Sequence, residues 1–137
     1  MEGANMVRTE LREHIFKIVF QVEFNNSEEM PEQLELYLEE LHNAKDKDRE
    51  YIKNKYEAVV AHLPEIDEML NRISTSWKTN RMNKTDLAIL RLAVYEVCWD
   101  EDVPTKVAIN EAVELAKKFS GEDAPAFING VLAKVAQ

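Results

Sequence analysis

Between Asn83 and Trp99 the chain reads Leu87-Ala88-Ile89-Leu90-Arg91-Leu92-Ala93-Val94-Tyr95-Glu96-Val97, apolar on nearly every side of a helical projection. A helix of that kind belongs at the centre of a fold, covered by other elements on most sides. The question put to the rest of the sequence is what supplies the cover.

The cover reads as more helices. Leu11, Ile15, Ile18, Val19 and Val22 recur at i, i+4, i+7, i+8 and i+11, one buried stripe, with Phe16, Phe20 and Phe24 as a neighbouring line. The polar stretch Asn25-Asn26-Ser27 ends that helix and caps the next. Leu34, Tyr37, Leu38 and Leu41 make a short acidic helix. Ile52, Tyr56, Val59, Val60 and Leu63 make a third, opening near Asp46 or Asp48. Pro64 suits the first turn of a fourth, which carries Ile66, Met69, Leu70, Ile73 and Trp77. Lys78-Thr79-Asn80-Arg81 reads as a loop. Pro104 opens a sixth helix that ends near Gly121, and a seventh runs from about Asp123 to Val135, burying Phe127, Ile128, Val131, Leu132 and Val135. Strand alternation is absent, and three glycines and four prolines leave little punctuation for hairpins. The expectation is an all-α protein: one domain over 1–137, a compact bundle of about seven helices, three in a subdomain of about 1–63 and four in one of about 64–137.

Catalysis finds little support. His14, His42 and His62 lie far apart and outside metal-ligand spacing, so no metal or cofactor is expected. Cys98, the single cysteine, sits among apolar neighbours and reads as an inert buried thiol, which suits a reducing, cytoplasmic setting. No glycine-rich phosphate loop exists, and no apolar run is long enough to span a membrane. The residues 1–8 lack the apolar segment of a secretory signal. A non-enzymatic protein follows.

Charge argues both ways about nucleic acid. The formal net charge is −9, unfavourable for phosphate contacts. Yet residues 23–40 alone hold seven acids and no basic residue, whereas residues 63–137 set nine Lys or Arg against twelve acids. A local basic face survives that distribution. On the sixth helix Lys106, Asn110 and Lys117 fall on one polar strip, opposite Ala108, Ala112, Leu115 and Phe119. Two cations flanking an amide suit phosphate and base-edge contacts, and a plain solvated helix face is the alternative. Arg8 and Arg12, one turn apart, continue the line of Ile15 and Val19. They sit where that stripe emerges at an open end of the bundle or pair with buried acids; they read as a phosphate clamp, or as a solubilising helix start. Phe20, Phe119 and Phe127 offer stacking faces for unpaired bases, or core. Gly130 inside a helix costs about 1 kcal/mol relative to Ala, which points to close approach by another helix or a ligand backbone.

Two polar tokens, Ile109-Asn110-Glu111 and Phe127-Ile128-Asn129-Gly130, interrupt otherwise ordinary amphipathic helices, where Asn is a poor choice. With Asp86-Leu87-Ala88-Ile89-Leu90-Arg91-Leu92-Ala93-Val94-Tyr95-Glu96, and with Pro104 and Lys106-Val107-Ala108-Ile109-Asn110-Glu111-Ala112, they make a combined signature. It resembles that of NusB, the bacterial transcription antitermination family, over nearly the whole chain and most densely from Asp86 to Leu132.

The resemblance implies the NusB all-helical fold and RNA binding without catalysis. It implies a pairing with NusE, the small-subunit ribosomal protein also used in transcription. The two together grip a single-stranded boxA element of ribosomal RNA leaders and help RNA polymerase read through terminators. Carried over by position, the RNA-side residues are Arg8, Arg12, Phe20, Phe119, Asp123 and Phe127; Lys106, Asn110, Lys117, Lys118 and Asn129 join them as candidates. The pattern departs from the family's at three points. Thr9, Glu10 and Leu11 thin the arginine cluster, Phe20 stands where some relatives have Tyr, and Ala133 stands where the family often has Asp. The thinned cluster makes dependence on NusE strong. The same resemblance leaves a homodimer open. It also leaves open the NusB-like domain of an rRNA cytosine methyltransferase, a reading that requires the chain to be a fragment, since it ends at Gln137 without a cofactor-binding loop. A protein-only helical adaptor is the rival from another class.

Overall fold

The structure is a computed structural model and describes residues 6–74 and 77–137. Among them are seven α-helices, a 3-10 turn and no strand. The chain divides into two compact units, Met1–Val60 and Ala61–Gln137.

The first unit contains α1 (Arg8–Gln21), α2 (Met30–Glu39) and nearly all of α3 (Asp46–Ala61). In α1 the apolar stripe is buried as its spacing requires: Leu11, Ile15, Phe16, Ile18 and Val19. Val22 and Phe24 fall outside the helix, because Asn25 turns back and its side-chain amide donates to the Gln21 carbonyl at 3.1 Å. Asn26 then accepts from the Glu28 and Glu29 amides at 3.0 and 2.9 Å, while the Glu29 carboxylate accepts from the Asn26 amide at 3.0 Å. That reciprocal exchange is a capping box, placed one turn ahead of α2. Helix α2 buries Met30, Leu34 and Leu38 on one line. Its far end leaves carbonyls without intrahelical donors. Arg49 supplies them, its guanidinium donating to Leu38 at 3.1 Å, Leu41 at 2.7 Å and Ala44 at 3.0 Å. Leu41 therefore lies in a loop pinned by Arg49 and not on α2. Asp48 is buried, and its carboxylate accepts from the Lys45 amide at 2.9 Å and the Met6 amide at 3.3 Å, which caps α3 and ties down the chain entering α1.

The second unit is built around α5 (Lys84–Trp99), which packs against α4 (Leu63–Ile73), α6 (Thr105–Phe119) and α7 (Ala124–Val135). Every residue from Leu87 to Val94 is buried, as a helix apolar all round demands. Asn83 starts α5 by accepting from the Thr85 amide at 2.8 Å and the Asp86 amide at 3.3 Å. Within that run Arg91 is paid for by a fork to Asp67 of α4, Nε to Oδ1 at 3.0 Å and Nη2 to Oδ2 at 2.7 Å. Helices α6 and α7 turn small residues inward, Ala108, Ala112, Ala116 and Ala124 beside Leu115, Ile128, Val131 and Leu132, so their backbones approach closely. Leu63 opens α4 instead of closing α3, because Pro64 in the first turn of α4 suits a helix start there. Trp77 is not on α4: the helix stops at Ile73, where Ser74 turns extended. The segment read as a loop contains a 3-10 turn, Thr79–Arg81.

Candidate nucleic-acid interface

The first unit separates the two arginines of α1. Arg8, the first residue of α1, is exposed and lies over the Tyr51 ring, 5.6 Å from the centroid. Arg12 is only 3% exposed and already engaged within the chain. A two-arginine phosphate clamp therefore does not stand here as such. Position 12 falls on the α1 stripe with Ile15 and Val19, and the tertiary structure buries it there instead of leaving it at an open end. Phe20 is half-buried in an aromatic ladder, 6.5 Å from Phe16 and 5.0 Å from Phe24 between centroids, and Phe24 stands exposed at its end.

In the second unit Lys106, Asn110, Lys117 and Lys118 are all exposed on α6, opposite the buried Ala108, Ala112 and Leu115. Lys117 pairs with Glu114 at 3.1 Å, an exposed contact that a phosphate can displace at little cost. Lys118 sits 5.4 Å above the half-buried Phe119 ring. Ser120 ends α6, and its hydroxyl donates to the Asp86 carboxylate in the first turn of α5.

The start of α7 forms one wall of a cleft of about 330 Å³, lined by Trp77, Arg81, Met82, Asn83, Asp86, Asp123, Ala124 and Phe127. A second cleft of about 370 Å³ adjoins it through Trp77 and Phe127 and continues past Gly130 to Lys134. Asp123 is exposed, Phe127 half-buried, and Asn129 exposed. A Cβ built on Gly130 meets nothing within 4 Å, so no neighbouring helix explains that glycine.

Reading by period put Trp77 on the fourth helix, whereas it lies beyond the end of α4 and lines the cleft. The available signal was the polar Ser74-Thr75-Ser76 before it, although Thr75 and Ser76 lie outside the described residues. Cys98 also departs from expectation. It is exposed, with its sulfur 3.9 Å from that of Met69, and partial desolvation raises the pKa of the thiol, which lowers its thiolate fraction. No group of His, Cys, Asp and Glu suited to a metal occurs among the described residues, and no described helix is long and apolar enough to cross a membrane.

The family model of NusB matches residues 9–137. The transcription antitermination protein NusB of Agathobacter rectalis is 53% identical over 131 residues, covering 96% of this chain and 100% of that protein. That of Lachnoclostridium phytofermentans is 45% identical over 130 residues, 95% and 98% of the two chains. Among solved structures, NusB of T. maritima superposes with a TM-score of 0.87 at 33% identity, over 96% of this chain and 92% of that one. A chain from a complex of antitermination factors NusB and NusE with double-stranded RNA gives 0.82 at 25% identity, over 96% and 98%. Sequence and fold agree along almost the entire length, and the chain belongs to the NusB family.

Proposed function

We propose that this chain is a transcription antitermination factor that binds boxA-type single-stranded RNA of ribosomal RNA leaders together with NusE, without catalysing a reaction. Its relatives carry the antitermination name, and one structural neighbour was solved with NusE and RNA. The observation that carries the reading to this molecule is the open aromatic cleft at the start of α7, lined by half-buried Phe127 and exposed Asp123. Exposed Lys106, Lys117 and Lys118, with Asn110, add a polar and cationic strip on α6. The net charge of −9 limits unaided RNA affinity, and NusE supplies the missing cations. The assembly acts in the cytoplasm, on RNA polymerase. Arg8 takes a phosphate, whereas Arg12 is buried and engaged within the chain.

Binding of a boxA-like single-stranded RNA and a scrambled control, at two salt concentrations and with or without NusE, tests this. Selective binding that needs NusE is expected. In the complex, Arg8→Ala lowers the slope of log affinity against log salt by about 0.7, the value for one single-strand phosphate contact. If neither RNA binds while NusE still associates, the chain is a protein adaptor and the reading is wrong.

A further inference from the structure

Trp77 is 52% exposed, an unusual place for the largest apolar ring. It is nevertheless held in position. Asn71, in the last turn of α4, accepts from the Thr79 amide through its side chain at 2.7 Å and from the Lys78 ammonium through its carbonyl at 2.7 Å. Three residues beyond Thr79, Met82 is buried and anchors the other end of the segment. The indole is thus presented to solvent on a fixed support, and it lines both adjoining clefts together with Phe127.

The polar groups around the two rings narrow the occupant. Asp86 and Asp123 line the first cleft and repel a phosphate placed there. Arg81 at one cleft and Lys134 at the other are exposed cations, suited to phosphates on either side. Flat apolar rings, acceptors that disfavour anions and outlying cations together describe a seat for a neutral, planar, hydrogen-bonding group on a charged backbone. An unstacked nucleobase has that chemistry. Gly130, open beside Phe127, leaves room for the backbone to pass.

We infer that Trp77 is a base-stacking residue of this chain, which with Phe127 seats one unpaired nucleobase of a bound single strand. The inference rests on the RNA-binding reading above and adds a residue that the family resemblance did not carry over.

The test uses the full chain with NusE and the same boxA-like RNA. Trp77→Ala is expected to weaken RNA binding roughly thirtyfold, in the middle of the range for losing one base–aromatic stack. Trp77→Phe should recover most of that loss, and neither variant should change the salt slope, since no phosphate contact is removed. In a Trp99→Phe background the remaining indole fluorescence should be quenched as RNA saturates the complex. RNA affinity unchanged in Trp77→Ala overturns the inference and leaves the antitermination reading intact. So does a variant whose only defect is weaker association with NusE in the absence of RNA, because the cleft then receives a protein side chain. A wild-type complex that binds no RNA sinks the parent reading and this inference with it.

Discussion

The two units keep their helices in place by different means. In the second, a helix buried on all sides is covered by α4, α6 and α7, and inward alanines bring α6 and α7 together. Its interior is apolar apart from a few groups such as the forked Arg91. In the first, polar side chains make the ends of α1, α2 and α3 fit: the Asn26 capping box, Asp48 beneath two amides, and Arg49 on three carbonyls. Burial is nondirectional and tolerates variation in partner, whereas a cap works only in one geometry. The contrast predicts that damage in the second unit is felt as lost core and in the first as a loosened connection.

Leu90→Ala should have the largest effect. Leu90 is 0% exposed at the middle of α5, and truncation there costs about 3 kcal/mol, from lost transfer energy and the cavity left behind. Urea unfolding measures it. Next comes Arg49→Ala, which orphans carbonyls of Leu38, Leu41 and Ala44. Because these groups are partly solvated, about 1–2 kcal/mol is expected, and amide exchange should accelerate around residues 38–49 before it does in α5. Equal losses in both variants, with exchange rising uniformly, would erase the contrast.

Gly130→Ala sharpens the comparison from the other side. With open space at the Cβ, alanine should stabilise α7 by about 0.5–1 kcal/mol, read as a raised Tm. A simultaneous fall in RNA affinity would identify the glycine as space for a ligand. The smallest effect concerns pH. The His14 Nδ1 lies 2.7 Å from the Tyr37 hydroxyl, and burial first, then Lys17, lowers the imidazole below its ordinary 6.5. Tyr37 is pushed up to about 12 by burial and Glu13, so its hydroxyl stays neutral beside the neutral ring. A lowered histidine pKa means the unfolded chain binds more protons. This stabilisation is complete above pH 6.5 and is lost as pH falls through the folded-state value. Replacing His14 with Gln should flatten the slope of Tm against pH in that acidic window, and an unchanged slope would refute the assignment.

Legibility differed along the same divide. The path of α5 could be read from its composition alone, because an all-apolar helix has one solution. The connection after α2 could not, since nothing local announces that Arg49 reaches back to Leu38. Trp77 was assigned to the fourth helix by its spacing from Ile73, an error that the extended backbone at Ser74 makes intelligible: periodicity says which residues would align if the helix continued, not whether it does. Arg12 shows the converse, a cation that a hydrophobic period carried inside.

By itself the sequence determined the all-helical class, the order of the helices, the central place of α5 and, through its combined signature, the family. Those properties depend on local periodicity and on residues near one another in the chain. Which cations stay in water, whether Cys98 is covered, that Gly130 faces open space and that Trp77 shares clefts with Phe127 were decided only in three dimensions. Exposure depends on what distant segments bring to a surface, and no period within a single helix encodes that.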